Sequence, residues 1–275
     1  MEFDYATLLP WLFAMLATGV LAGLIAGLLG VGGGIVIVPV LYQILTAMDV
    51  DDDMRMHVAV ATSLAIIIPT SVMSARAHHQ RGSVDLALVK RWAAFLLIGV
   101  ALGTLLAIVL SGETMTLVFA AVALLVAVQM VIKPDGMVWS DHLPSVPVQG
   151  LIATVIGSVS TLMGIGGGSL SVPTLGGYGF PIRRAVGTSA ALGAIIALPG
   201  ALGFVLSGLG QPDRPPFSLG YVNLLGFALI FPTTMLLSPW GARLAHSIPP
   251  RMLRIAFALF LGVTAARLFY QVLFD

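Results

Sequence analysis

Apolar residues along this chain do not alternate with polar ones; they fall in long runs broken by short clusters of charge, glycine or proline. Ten such runs cover residues 8–29, 35–48, 57–77, 86–110 and 114–132, then 148–163, 169–180, 184–207, 219–237 and 251–272, with 238–247 a connector that extends its neighbour. Several hold about twenty residues without an acid or base, the length a helix needs to cross roughly 30 Å of hydrocarbon. In lipid the backbone must satisfy its own polar groups, as a helix or as a closed barrel, and runs without period-two alternation exclude the barrel. The pattern predicts an all-α, polytopic membrane helix bundle.

The ten runs divide into two sets of five. Gly30-Val31-Gly32-Gly33-Gly34-Ile35-Val36-Ile37-Val38-Pro39 recurs as Gly164-Ile165-Gly166-Gly167-Gly168-Ser169-Leu170-Ser171-Val172-Pro173, sharing G-x-G-G-G-x-x-x-V-P. Each copy is followed by a second match, Ala59-Val60-Ala61-Thr62-Ser63 against Ala185-Val186-Gly187-Thr188-Ser189. The expected organisation is a first transmembrane repeat over 1–133, an inter-repeat loop over 134–147 and a second repeat over 148–275. An odd number of crossings per repeat would invert the second half relative to the first. Two segments qualify this picture: 148–163 reaches only about 24 Å as a helix, and 169–180 is shorter, so the pair can form a re-entrant, glycine-broken hairpin instead of two crossings.

Composition agrees with the pattern. The chain is 58% hydrophobic and 9% charged, with a mean hydropathy of +1.03, where soluble domains carry roughly a quarter charged residues. The net charge is +1 and basic residues stand singly, which argues against a nucleic-acid partner. The absence of cysteine removes disulfides and thiol chemistry. Met1-Glu2-Phe3-Asp4-Tyr5 lacks the positive start of a cleavable signal, so 11–29 is read as a retained helix. With both termini outside, Arg76, Arg81, Lys90, Arg91, Lys133, Arg183, Arg184, Arg243, Arg251 and Arg254 fall on the cytoplasmic side, against Arg55, Arg214 and Arg267 outside. That asymmetry satisfies the positive-inside rule for a multi-pass protein of a bacterial inner membrane.

The candidate chemistry lies in the glycine runs. Without a Cβ, glycine adopts φ > 0 and lets backbone N–H groups approach a ligand. Gly32, Gly33 and Gly34, and Gly166, Gly167 and Gly168, are expected to cap the short helices that follow them and to direct free N–H groups and positive dipole ends at an anion near the midplane. Thr62, Ser63, Thr188 and Ser189 supply hydroxyls that can orient carboxylate or sulfonate-like oxygens, or can bond back to their own helices. Pro39, Pro69, Pro173 and Pro199 are expected to kink or end helices near the same region. No Asp or Glu lies inside a span; Asp85 is read as a helix-terminus residue, and His57, His78, His79 and His246 as solvated span-end residues. Arg243 and Arg267 are read as snorkelling. No metal or other cofactor is expected.

The doubled G-x-G-G-G-x-x-x-V-P, each copy followed by Ala-Val-x-Thr-Ser, together with H-x-x-x-G-x-V-D over His78–Asp85, resembles the TauE/SafE family, also called the toluenesulfonate uptake permeases. The resemblance covers nearly the whole chain. It implies secondary transport of small sulfur-containing anions such as sulfite, sulfoacetate or aryl sulfonates, with the anion and the lipid bilayer as partners and a homodimer left open. No G-x-x-x-x-G-K-[ST] loop exists to couple ATP hydrolysis. A passive anion channel would use the same glycine turns. An intramembrane hydrolase built on Gly187-Thr188-Ser189-Ala190 would need a histidine inside a span, and the sequence offers none.

Overall fold

The computed structural model describes residues 5–29, 33–132, 139–212, 214–245 and 249–274. Ten helices stand where the apolar runs predict them. The first five are α1 (Tyr5–Leu29), α2 (Gly34–Ala47), α3 (Asp52–Gln80), α4 (Leu86–Val109) and α5 (Gly112–Ile132). The second five are α6 (Val146–Met163), α7 (Gly168–Gly177), α8 (Ile182–Gly208), α9 (Leu224–Ala245) and α10 (Pro250–Phe274). A two-stranded hairpin, β1 (Ser218–Leu219) and β2 (Val222–Asn223), precedes α9.

Local chemistry sets the helix starts. The Asp51 carboxylate accepts from the Asp53 N–H, and Asp85 from the Leu88 N–H. The Asn223 carboxamide oxygen accepts from the Gly226 N–H, the same i→i+3 cap in amide form. The prolines expected to kink or end helices lie inside them: α2, α3, α7 and α8 run through Pro39, Pro69, Pro173 and Pro199. Residues 238–245, read as part of a connector, continue α9 through Pro239.

Among the described residues, seven helices are long and apolar enough to cross a membrane. The 14 residues of α2 and the 10 of α7 extend about 21 Å and 15 Å, well short of roughly 30 Å of hydrocarbon. Large apolar side chains such as Leu105, Val109, Leu125 and Leu206 are exposed on the outer faces, Val109 by 82%. In a polytopic bundle these faces meet lipid.

The largest helix interfaces are α1 with α9, α4 with α6, α3 with α8, and α5 with α10. Replacing each helix by its counterpart five positions on leaves this pairing unchanged. Two of the interfaces are closed by small residues. A Cβ on Gly99 of α4 would stand 2.2 Å from the Thr154 carbonyl of α6, and one on Gly23 of α1 would stand 2.7 Å from the Thr234 carbonyl of α9. Backbone-to-backbone approach of this kind is how helices pack tightly in lipid, where apolar burial alone drives little association.

Candidate functional site

The two glycine turns share one backbone geometry. Gly33 has φ 77 and ψ −17, and Gly167 has φ 78 and ψ −18. Both are left-handed, a region that costs an L side chain roughly 1–2 kcal/mol. Each caps a short helix with its own carbonyl. Gly33 O accepts from Val36 and Ile37, and Gly167 O from Leu170 and Ser171. No side chain caps either helix, so the first N–H groups of α2 and α7, which have no intrahelical acceptor, remain available to a ligand.

The turns are brought together. A Cβ on Gly34 would lie 2.5 Å from the Gly164 carbonyl oxygen and 3.0 Å from Ile165 Cα. Ser63 donates to that same Gly164 carbonyl at 2.7 Å, tying α3 to the second turn. Gly32 lies outside the described residues.

The side chains around the two turns differ. Around the second, the hydroxyls of Ser160, Ser169, Ser171 and Ser189 are buried and have no hydrogen-bond partner, and Ser160, Ser171 and Ser189 are 0% exposed. A Cβ on Gly167 would meet Ile196 Cδ1 at 2.6 Å, with Ser160 Oγ at 3.6 Å and Ser171 Oγ at 3.7 Å beyond it. Beside this turn lies a pocket of about 70 Å³, lined by Gly166, Gly168 and Ser189 and by Thr70, Ser71 and Ser74 of α3, where the Thr70 and Ser71 hydroxyls donate to carbonyls of their own helix. A water needs on the order of 15 Å³ measured this way, so the space fits an ion of a few heavy atoms. No charged side chain lines it. A buried hydroxyl without a partner costs about 1–3 kcal/mol; Ser160 and Ser171 stand beside Gly167 and Ser189 lines the pocket, so these three can donate hydrogen bonds to something else.

At the first turn the matching positions carry Ala26 for Ser160, Ile35 for Ser169 and Ile37 for Ser171. Ile35 and Ile37 are fully buried in the main apolar core.

The Thr-Ser pairs divide in role. The Thr62 hydroxyl accepts from the Asn223 N–H at 2.9 Å, and the Thr188 hydroxyl from the Asp85 N–H at 3.0 Å. Each threonine on the third helix of one half therefore holds the N-cap residue of the fourth helix of the other half. Asp85 also pairs with Arg184 at 2.8 Å, and the Arg184 guanidinium sits over the Phe180 ring at 5.3 Å. Ser63 is occupied by Gly164, whereas Ser189 is free and lines the pocket.

Ser160, Ser169 and Ser171 were not singled out from the sequence because hydroxyls in apolar runs, such as Ser158, Ser160 and Thr161 or Ser169 and Ser171, commonly bond back to their own helices. The available signal was the mismatch between the two repeats at those positions. The expectation for His57 is corrected outright. It is 6% exposed, packed beneath Tyr221 and against the end of α4, because the loop before α9 folds over it.

Residues 15–268 match the family described as Sulfite exporter TauE/SafE. A probable membrane transporter protein of Haemophilus influenzae is 37% identical over 93% of this chain and 97% of its own length. Probable membrane transporter proteins of Methanocaldococcus jannaschii and Bacillus subtilis are 26% and 25% identical over 96% and 95% of this chain, and over 96% and 98% of their own lengths. No solved structure matches this chain.

Proposed function

We propose a specific reading for this chain, which belongs to the sulfite exporter TauE/SafE family and is a multi-pass membrane transporter: it is a secondary carrier of small sulfur oxyanions, sulfite or sulfonates, bound at the second glycine turn. The observation that carries the reading is the set of buried serine hydroxyls without partners at the second turn, Ser160 and Ser171 beside Gly167 and Ser189 in the pocket. A sulfonate, or sulfite in its dianionic form, presents three oxygens that accept hydrogen bonds and has no proton to give. Hydroxyls that rotate to donate, with the free N–H groups and positive dipole end at the start of α7, match that demand. Each hydrogen bond to a charged group contributes roughly 1.5–3 kcal/mol. Holding the anion by neutral dipoles avoids a fixed cation in the bundle interior and leaves the ion free to depart, as transport requires.

In this reading Gly166, Gly167, Gly168 and Ser189 touch the anion, with Ser160 and Ser171 beside Gly167 as further donors. Gly33, Gly34 and Ser63 support the second turn from the first half, and Thr62 and Thr188 fix the loops that lead to it. The two halves are inverted across a bacterial inner membrane with both termini outside. The exchange-invariant helix pairing and the ten-to-three distribution of basic residues support that arrangement.

The test is counterflow of radiolabelled sulfonates and sulfite in proteoliposomes. A carrier gives saturable exchange that an excess of unlabelled substrate accelerates from the opposite side. Linear, unsaturable flux would identify a channel, and no movement of any sulfur oxyanion would reject the substrate class. A reporter fused after Asp275 should lie outside; a cytoplasmic signal would reject the inverted arrangement with both termini outside.

A further inference from the structure

His57 lies in α3 one turn after Asp53, with both ring nitrogens facing carbonyl oxygens. Nδ1 is 2.7 Å from the Asp53 carbonyl and Nε2 is 2.9 Å from the Ala107 carbonyl of α4. A neutral imidazole has one N–H and one lone pair, so it satisfies one of these acceptors and turns a lone pair on the other. Only the imidazolium donates to both. The Ala107 carbonyl belongs to the last turn of α4, where carbonyls lack intrahelical donors and carry the negative end of the helix dipole.

Of the two rings beside it, only Tyr221 offers a face that suits a cation, stacked at 5.0 Å; Phe204 of α8 meets it edge-on at 6.5 Å. The charged groups around it come from three elements. Asp53 of α3 accepts from the Gly112 N–H at the start of α5. Arg214, in the loop before the hairpin, acts on the Tyr221 hydroxyl, which burial and Asp53 together hold above its ordinary range against the pull of that arginine. Arg55 is engaged by Asp52 and by the Val50 carbonyl, and Glu113 in the first turn of α5 is exposed.

We propose that His57 is a proton-binding site, occupied in this conformation, and that its protonation couples a pH gradient to transport. The coupling half of this statement rests on the carrier reading above; the protonation half does not. The proton comes from water and returns to water, with no other group consumed. Its loss leaves a nitrogen lone pair against a carbonyl oxygen at less than 3 Å. That repulsion is relieved when α3 parts from α4 or when the 218–223 hairpin lifts, so the neutral ring favours a conformation other than this one.

Two measurements on the full chain in lipid nanodiscs or proteoliposomes test it. In ¹⁵N-histidine-labelled protein at neutral pH, one of the five histidines should show both ring nitrogens protonated. That signal should vanish in His57→Gln, whose amide is neutral at every pH. No doubly protonated histidine, or one that survives His57→Gln, would overturn the proton site whatever the protein transports. The second measurement is uptake of methanesulfonate, which stays ionised across the working range, with and without an imposed acid-outside gradient. The gradient should raise wild-type uptake severalfold and leave His57→Gln at its own no-gradient level. An equal response in both would overturn the coupling, while absence of counterflow in wild type at any pH would instead reject the substrate reading and leave the labelling result to stand.

Discussion

The two glycine turns have the same backbone and different surroundings. Their φ and ψ agree within a degree, and both open short proline-containing helices. Yet Ile35 and Ile37 bed the first in aliphatic core, while Ser169 and Ser171, with Ser160 and Ser189, surround the second with hydroxyls that bond nothing in the protein. A duplicated backbone motif is thus not a duplicated site. The glycines supply a shape and a set of free N–H groups, and the neighbouring side chains decide whether that shape serves packing or binding.

The sharpest way to break this contrast is to add a methyl group to each turn. In Gly167→Ala the new Cβ would lie 2.6 Å from Ile196 Cδ1, with Ser160 and Ser171 beyond it; in Gly33→Ala it would meet the Ala22 carbonyl at 3.2 Å. Both variants carry the left-handed strain of about 1–2 kcal/mol. Only Gly167→Ala should also abolish counterflow at normal membrane levels, with Gly33→Ala retaining a measurable share. Equal loss in both would make the turns functional equals.

Ser160→Ala and Ser171→Ala sharpen the comparison further, because their effects on binding and stability should have opposite signs. Each loses a hydrogen bond to a charged ligand of roughly 1.5–3 kcal/mol, or about tenfold to a hundredfold in sulfonate affinity. Without ligand, each should hold or raise the melting temperature by removing an orphaned hydroxyl. At the first turn Ile37→Ala should cost about 2–5 kcal/mol of stability and leave the affinity of the folded fraction intact. Thermal melts with and without sulfonate read both quantities, and a destabilised ligand-free Ser171→Ala would contradict the assignment of a free hydroxyl.

The threonines give a smaller and symmetric effect. Thr62→Val and Thr188→Val each leave a backbone N–H without its acceptor, about 1–3 kcal/mol in the interior, so both should lower stability similarly while the substrate affinity of the folded protein changes less than in the serine variants. An affinity loss equal to that of Ser171→Ala would put these hydroxyls on the substrate. Arg184→Gln is expected to matter least, since its side chain is 54% exposed and exposed ion pairs contribute about 0–1 kcal/mol. Chemical denaturation should register it near the limit of detection.

Much of this architecture was legible because lipid forces long apolar segments into helices, and the positions of all ten followed from the runs alone. The twin turns were legible because glycine is the residue that left-handed backbone selects. The serine hydroxyls at the second turn were not, since they come from α6, α7 and α8, and a serine in an apolar run carries no mark of the direction it faces. His57 was misread for a related reason. Its place at the edge of an apolar run suggested water, but the hairpin at 218–223, hidden at the start of the run 219–237, covers it. Pro39, Pro69, Pro173 and Pro199, expected to kink or end helices, end none of them, because neighbouring helices in a bundle tolerate the lost N–H.

All four of the largest helix interfaces join the first half to the second. When the ribosome has released α1 to α5, the surfaces meant for α6, α8, α9 and α10 still face lipid, Thr62 has no Asn223 to receive, and the Gly34 turn has no Gly164 to lean on. Biogenesis therefore cannot proceed as two completed units placed side by side: the nascent first half must stay pliable in the bilayer until its sibling is inserted. By the same reasoning, two separately translated halves supplied in one cell should find each other and rebuild the carrier.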